Sequence, residues 1–204
     1  YMECSLNQFL ENAYKAFDKY EFSEVYRLTL NYISNTLSAF YLDFTKDVLY
    51  IEAKNDIARC SIQTVFYDNL DALVRLLTPF IPYTTEEVYS FMENISDKKS
   101  SVYLLDMVEV KHFDNADELL NKYSKFMLFR NDILKAIEEA RNNKVIGKSL
   151  SAKLVIKPTN ETKQLLDSIK SDLKTIFIVS ELVITDENIE GLKFESATIQ
   201  VTAK

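Results

Sequence analysis

Residues 63–89 read QTVFYDNLDALVRLLTPFIPYTTEEVY, and they spell out a helix, a stop and a second helix. Phe66, Leu70, Leu73 and Leu77 recur at helical spacing and share one face. Asp71 and Arg75 sit one turn apart with the acid N-terminal, the better order for an ion pair along a helix. Arg75 is therefore expected to tie helices together through Asp71 or Asp68 rather than to meet a ligand. Pro79 and Pro82 lack an N–H and restrict the residue before them, so the first helix cannot run past this point. Thr84 followed by Glu87 reads as a capping box that opens the next helix. A chain with this corner is committed to helices packed side by side.

The rest of the chain extends that pattern. Ser5 with Gln8 reads as a capping box for a first helix, whose inner face is Leu6, Phe9, Leu10, Ala13 and Phe17. After a break at Tyr20–Ser23, a long helix is expected from Ser23 to Tyr50. It carries two apolar stripes, one through Tyr26, Leu30, Ile33, Leu37, Phe40 and Phe44, the other through Val25, Leu28, Tyr32, Ala39 and Leu42. Further helices are expected over Asn55–Thr78 and Thr85–Glu93. A polar loop at Asp97–Ser101 and an irregular return over Val102–Val110 follow. Asp117 and Glu118 then start a helix that reaches Asn143, acids first and Arg141 and Lys144 last, as the helix dipole favours.

The texture changes at Gly147. Ala152, Leu154 and Ile156 alternate with Lys153, Val155 and Lys157, as in a half-buried strand. A helix over Glu161–Leu173 and strands at Leu182–Thr185 and Phe194–Thr202 complete the reading. The expected fold is mainly α: an antiparallel helical bundle over residues 1–146, then a small α+β subdomain over 147–204.

Composition excludes more than it selects. Two glycines in 204 residues, Gly147 and Gly191, are far fewer than average usage of ~7% would supply. Phosphate-cradling loops need several glycines close together, which excludes a Walker or dinucleotide motif. Cys4, Cys60 and the lone His112 cannot make a tetrahedral zinc site without carboxylates. The acidic pairs Glu86–Glu87 and Asp186–Glu187 have no histidine or metal partner, so catalysis and an independent hydrolase are poor readings. No signal peptide and no long apolar run is legible, and a reducing cytoplasm is expected.

The net charge of −7 would repel a polyanion, but it is unevenly spread. Residues 122–157 carry nine basic side chains (Lys122, Lys125, Arg130, Lys135, Arg141, Lys144, Lys148, Lys153, Lys157) against three acidic ones (Asp132, Glu138, Glu139). Local field matters more than the total for nucleic acid, and lysine and arginine supply phosphate contacts. Arg141, Lys144 and Lys148 gather where a helix gives way to a loop, and Lys153 and Lys157 continue along one strand face. Asn142 and Asn143 beside them, and Tyr41 between the two stripes of the long helix, are candidates for contact with unstacked bases. The competing reading is a solvated helix face on an acidic protein-interaction scaffold.

Three segments carry a family resemblance: Gln63–Tyr89, Leu37–Tyr50 (LSAFYLDFTKDVLY) and Ala140–Ala152 (ARNNKVIGKSLSA). In order and spacing they resemble the anticodon-binding region of class I aminoacyl-tRNA synthetases, and within that group most closely the isoleucine members, with a valine or leucine member as the alternative. The likeness runs from about Tyr14 to Ser180. Tyr89 departs from it, since the family commonly has tryptophan there. The HIGH and KMSKS signatures do not occur. The resemblance implies a non-catalytic C-terminal piece of an ATP-dependent ligase that makes Ile-tRNA. It implies the anticodon arm of isoleucine tRNA as partner, together with the parent's catalytic and editing domains. It also implies a monomer with no membrane contact and no cofactor in this piece. ATP and Mg belong to the absent catalytic domain, and zinc only to an absent C-terminal module.

Overall fold

A computed structural model describes residues 1–92, 98–169 and 173–203. It divides into two compact units, 1–116 and 117–204. The first unit is an all-helical bundle. Its helices are α1 (Met2–Asp18), α2 (Phe22–Asn31), α3 (Asp43–Ile51), α4 (Ile57–Leu77) and α5 (Pro82–Phe91). Leu6, Phe9, Leu10 and Ala13 of α1 form its core with Ala72 and Leu76 of α4 and with Tyr32. Phe9 and Tyr32 stack with ring centroids 4.5 Å apart.

The expected helix over Ser23–Tyr50 is continuous, but its middle, Tyr32–Leu42, is wound as a π-helix. The inward face differs from the expected stripes, already in α2 and again through the wider winding. Val25, Thr29, Tyr32, Tyr41 and Thr45 are buried, and Leu37 packs against the core. The interval of five from Tyr32 to Leu37 is the π step. Tyr26, Leu30 and Ile33, expected on an inner stripe, are instead exposed.

Both expected capping boxes are corrected. α1 already starts at Met2, which puts Ser5 inside its first turn, where its N–H donates to the Tyr1 carbonyl at 2.8 Å. Pro82 is the first residue of α5, so the proline that forbids one helix opens the next; its fixed φ suits that position and its missing N–H costs nothing there. Glu87 has no capping role. Glu86 is the working acid, accepting from Ser101 Oγ at 2.8 Å and Val102 N–H at 3.1 Å. Arg75 does pair with Asp71, at 2.8 Å, and also donates to the Asp106 carbonyl at 3.0 Å. The expected helix end at Glu93 and loop start at Asp97 lie outside the described residues.

The second unit contains α6 (Ala116–Asn142, joining from the unit boundary), α7 (Asn160–Ser168), α8 (Leu173–Phe177) and a four-stranded sheet. Its strands are β1 (Ala152–Pro158), β2 (Glu181–Ile184), β3 (Leu192–Lys193) and β4 (Ala197–Ala203), in spatial order β2-β1-β4-β3. β1 and β2 are parallel, which requires a crossover, and α7 and α8 supply it. β4 returns antiparallel along the other side of β1. Ala152, Leu154, Ile156, Ala197 and Ile199 are buried on one face, as the alternation in the sequence predicts.

The compact boundary differs from the change of texture at Gly147. α6 looks like a bundle helix in sequence, yet its apolar stripe serves the sheet unit. Phe126 and Phe129 both meet the Phe177 ring at 6.0 Å, and Asp132 accepts from Ser196 Oγ at 2.6 Å.

In the first unit the buried Tyr32 hydroxyl donates to Asn69 Oδ1 at 2.6 Å, and Asn69 passes its own amide to the Val65 carbonyl at 2.7 Å. Tyr32→Phe would strand Asn69 Oδ1, at an expected cost of about 1–3 kcal/mol. Urea unfolding of the two chains measures this, and unchanged stability would show that the pair is not holding the core.

Candidate nucleic-acid interface

The basic elbow follows from how α6 ends. Lys144 lies in the left-handed region, with φ 58°. Its N–H reaches the Arg141 carbonyl at 3.0 Å, while the Val145 N–H reaches back to the Ala140 carbonyl at 2.9 Å. This is the hydrogen-bond pattern that normally recruits glycine after a helix. Ile146 is buried immediately afterwards, so the reversal is pinned from below. Gly147 has a negative φ and open space around it, so the turn does not depend on that glycine.

The cations of the elbow are in different states. The Arg141 guanidinium pairs with Glu138 and also donates to Ser149 Oγ at 3.1 Å, bridging the last turn of α6 to the 3-10 turn Ser149–Ser151. Lys153 pairs with Glu181 at 2.7 Å, and Lys157 donates to Asn188 Oδ1. Lys144 and Lys148 are exposed and, among the described residues, make no ion pair. Exposed pairs are worth only ~0–1 kcal/mol, so a phosphate could compete for Arg141 or Lys153 at little cost. Lys144 and Lys148 have nothing to give up.

Asn142 and Asn143 are exposed at the same end of α6, as expected. Tyr41 is not a surface group. It is 9% exposed, packs against Phe44 and Phe66, and burial pushes its hydroxyl up to about 12. Its place in the wide π segment turns it inward, which removes it from the candidate base contacts.

Strand register adds a residue that sequence reasoning missed. Lys157 lies opposite Thr198, and Thr198 lies opposite Lys193 on β3. The three share one sheet face, so Lys193 extends the cationic row of Lys153 and Lys157. A two-residue strand carries no periodic signal, and only the pairing reveals this neighbour.

The protein-family model for the anticodon-binding domain of tRNA ligase matches residues 1–156. The chain belongs to that family. It is 47% identical over 207 aligned residues to the isoleucine–tRNA ligase of Lactobacillus johnsonii, covering all of this chain and 22% of that protein. The isoleucine–tRNA ligase of Bacillus subtilis is 46% identical over 92% of this chain and 20% of its own length. That of Streptococcus mutans is 42% identical over 98% of this chain and 22% of its own length. The chain thus spans about a fifth of the length of the curated relatives it matches. No described helix is long and apolar enough to cross a membrane. No described cluster of three His, Cys, Asp or Glu side chains could hold a metal ion.

The left-handed Lys144 makes a sharp prediction. Lys144→Gly is expected to raise unfolding stability by up to about 1 kcal/mol, because the relieved steric cost exceeds the added freedom of the unfolded chain. Thermal and urea unfolding check this; a loss of stability would mean that the lysine side chain, rather than the backbone turn, secures the elbow.

Proposed function

We propose that this chain is the anticodon-binding part of an isoleucine–tRNA ligase and that it holds the anticodon arm of isoleucine tRNA at the elbow formed by Arg141, Asn142, Asn143, Lys144 and Lys148, with Lys153, Lys157 and Lys193 continuing the surface. The observation that carries this reading is the pair of exposed, unpaired cations, Lys144 and Lys148, held on a fixed helix-to-strand turn in a chain of the anticodon-binding family. Phosphate contacts position a nucleic acid without reading it, and a rigid turn is what positioning needs.

In this reading the parent enzyme joins isoleucine to tRNA with ATP, and the chemistry, ATP, Mg and editing all belong to other domains of the longer chain. Any zinc would belong to a further module. The piece itself contributes position: remote binding speeds a reaction only if both ends of the substrate are held in one geometry. By role, residues 1–146 form the anticodon-binding bundle and 147–204 its junction, with α6 belonging by sequence to one and by packing to the other. A cytoplasmic, monomeric protein completes the proposal.

Two measurements test it. Isoleucine-dependent ATP–pyrophosphate exchange should be absent from a preparation free of host synthetase, and activity there would contradict a purely positional role. Lys144→Glu with Lys148→Glu should weaken binding of the isoleucine anticodon stem-loop at low salt and flatten the log K against log salt slope by about one unit per lost contact. Lys144 closes the end of α6, where a negative charge opposes the helix dipole by ~0.3–1 kcal/mol. Urea unfolding of the double variant is therefore measured alongside, to separate a folding defect from lost contacts. Identical affinity and slope in both proteins would place the RNA surface elsewhere.

A further inference from the structure

The elbow surface carries its cations in two states, and carboxylates make the difference. Glu138 lies three residues before Arg141 on α6 and holds its guanidinium. Glu181 of β2 lies opposite Lys153 on the parallel strand β1, and the two side chains meet at 2.7 Å. One pair is thus built by helical spacing and the other by strand register. Their four side chains are between 37% and 55% exposed, so a ligand can reach them. Lys157 is held by the neutral Asn188 instead, and Lys144 and Lys148 make no ion pair among the described residues.

We propose that Glu138 and Glu181 are built-in counter-ions of the RNA surface, each holding its cation until a phosphate displaces it, and that they keep the bound anticodon arm readily released. The proposal rests on the RNA-binding reading above and adds reversibility to it. Carboxylate and phosphate both accept charge-assisted hydrogen bonds from lysine and arginine, so exchanging one for the other changes little in energy. A cation that must first give up a carboxylate therefore adds less to affinity than a free one. Lys144 and Lys148 make the first capture, because open charges steer encounter. Arg141 and Lys153 exchange partners afterwards, which acts on dissociation. A part that positions a substrate has to let it go in every cycle, and release limits many enzymes.

A carboxylate beside a cation can instead orient it for its ligand. The two roles differ in sign: removing a counter-ion strengthens binding, whereas removing an orienting group weakens it. Neighbouring acids separate either role from the plain effect of charge. Glu139 follows Glu138 on α6 and Glu190 precedes Gly191; both face a cleft of about 350 Å³, and among the described residues neither makes an ion pair. Glu190 is kept there because Gly191 lies close against β4, where a Cβ would come within 2.4 Å of the Ile199 carbonyl oxygen. Neutralising Glu139 or Glu190 changes the net charge by the same unit without freeing a cation of the surface.

The test uses the whole chain and the isoleucine anticodon stem-loop, with affinity and dissociation rate measured over a salt series. Glu138→Gln should bind at least about twofold tighter than Glu139→Gln, and Glu181→Gln than Glu190→Gln. A gain of up to about fivefold is the scale of one exposed ion pair. The gain should lie in slower dissociation, and the log K against log salt slope should steepen by up to about one unit for each freed cation. In an Arg141→Gln background, Glu138→Gln should lose its advantage over Glu139→Gln, since the two residues act as one pair. Tighter binding cannot arise from partial unfolding. Weaker binding by the Glu138 and Glu181 variants, or binding equal to that of the Glu139 and Glu190 variants, with salt dependence retained, would overturn the counter-ions and leave the elbow standing. Absence of salt-dependent stem-loop binding by wild type would overturn both.

Discussion

Every helix in this chain must end, and the sequence has almost no glycine to end it with. Tyr20, Lys144 and Ile178 take the left-handed conformation in its place, with φ values of 59°, 58° and 55°. Each stands just after a helix, and each is followed by an N–H that reaches back across the turn: Glu21 to Ala16 at 2.9 Å, Val145 to Ala140 at 2.9 Å, Val179 to Lys174 at 3.2 Å. A left-handed residue with a side chain costs ~1–2 kcal/mol against the right-handed form. Satisfying carbonyls that would otherwise be orphaned at the helix end offsets that cost. These closures decide where the chain turns, and the candidate interface exists because one of them falls on a lysine.

The same turn joins two kinds of contact. It fixes Arg141 within reach of Ser149, leaves Lys144 and Lys148 in solvent, and sets Asn143 at a cleft whose far side is built by Gly191 and the end of β4. One of the two glycines is therefore needed for close approach of backbones, and the other, Gly147, is not needed for conformation. Arg141, Asn143, Lys144 and Lys148 lie within a few residues of each other because α6 runs unbroken to Asn142 and then reverses. A frayed end would spread the same charges over many orientations and lose the geometric advantage.

Within the first unit the polar interior is as specific as the apolar one. The Tyr32–Asn69–Val65 relay sits among stacked aromatics, and Tyr14 donates to the Val108 carbonyl at 2.8 Å while Asn7 Oδ1 accepts from the Lys111 N–H at 3.0 Å. These bonds hold the irregular return after α5 against α1, where no periodic pattern could have placed it. Where the partners are buried, as in Tyr32 and Asn69, each would cost more unpaired than it contributes paired.

Periodicity and proline placement were enough to determine the bundle helices and their order, the switch to alternating strands after Gly147 and the concentration of positive charge in residues 122–157. These are local properties, set by spacing along the chain. The helix expected over Glu161–Leu173, however, ends at Ser168, and α8 and the two-residue β3 carried no such signal. The capping boxes at Ser5 and Thr84 were misread because a short motif cannot tell a helix start from a position inside one, and Pro82 and Met2 decided the matter. The inward turn of Tyr41 depended on the π winding, which no hydrophobic stripe announces. Tertiary structure alone assigned α6 to the sheet unit, through Phe177 and Ser196, and it alone set Lys193 on the same sheet face as Lys157, one strand apart, and Asn143 beside β4. Those relations join residues far apart in sequence, and they are fixed by strand register and side-chain fit, quantities that have no value until the chain has closed on itself.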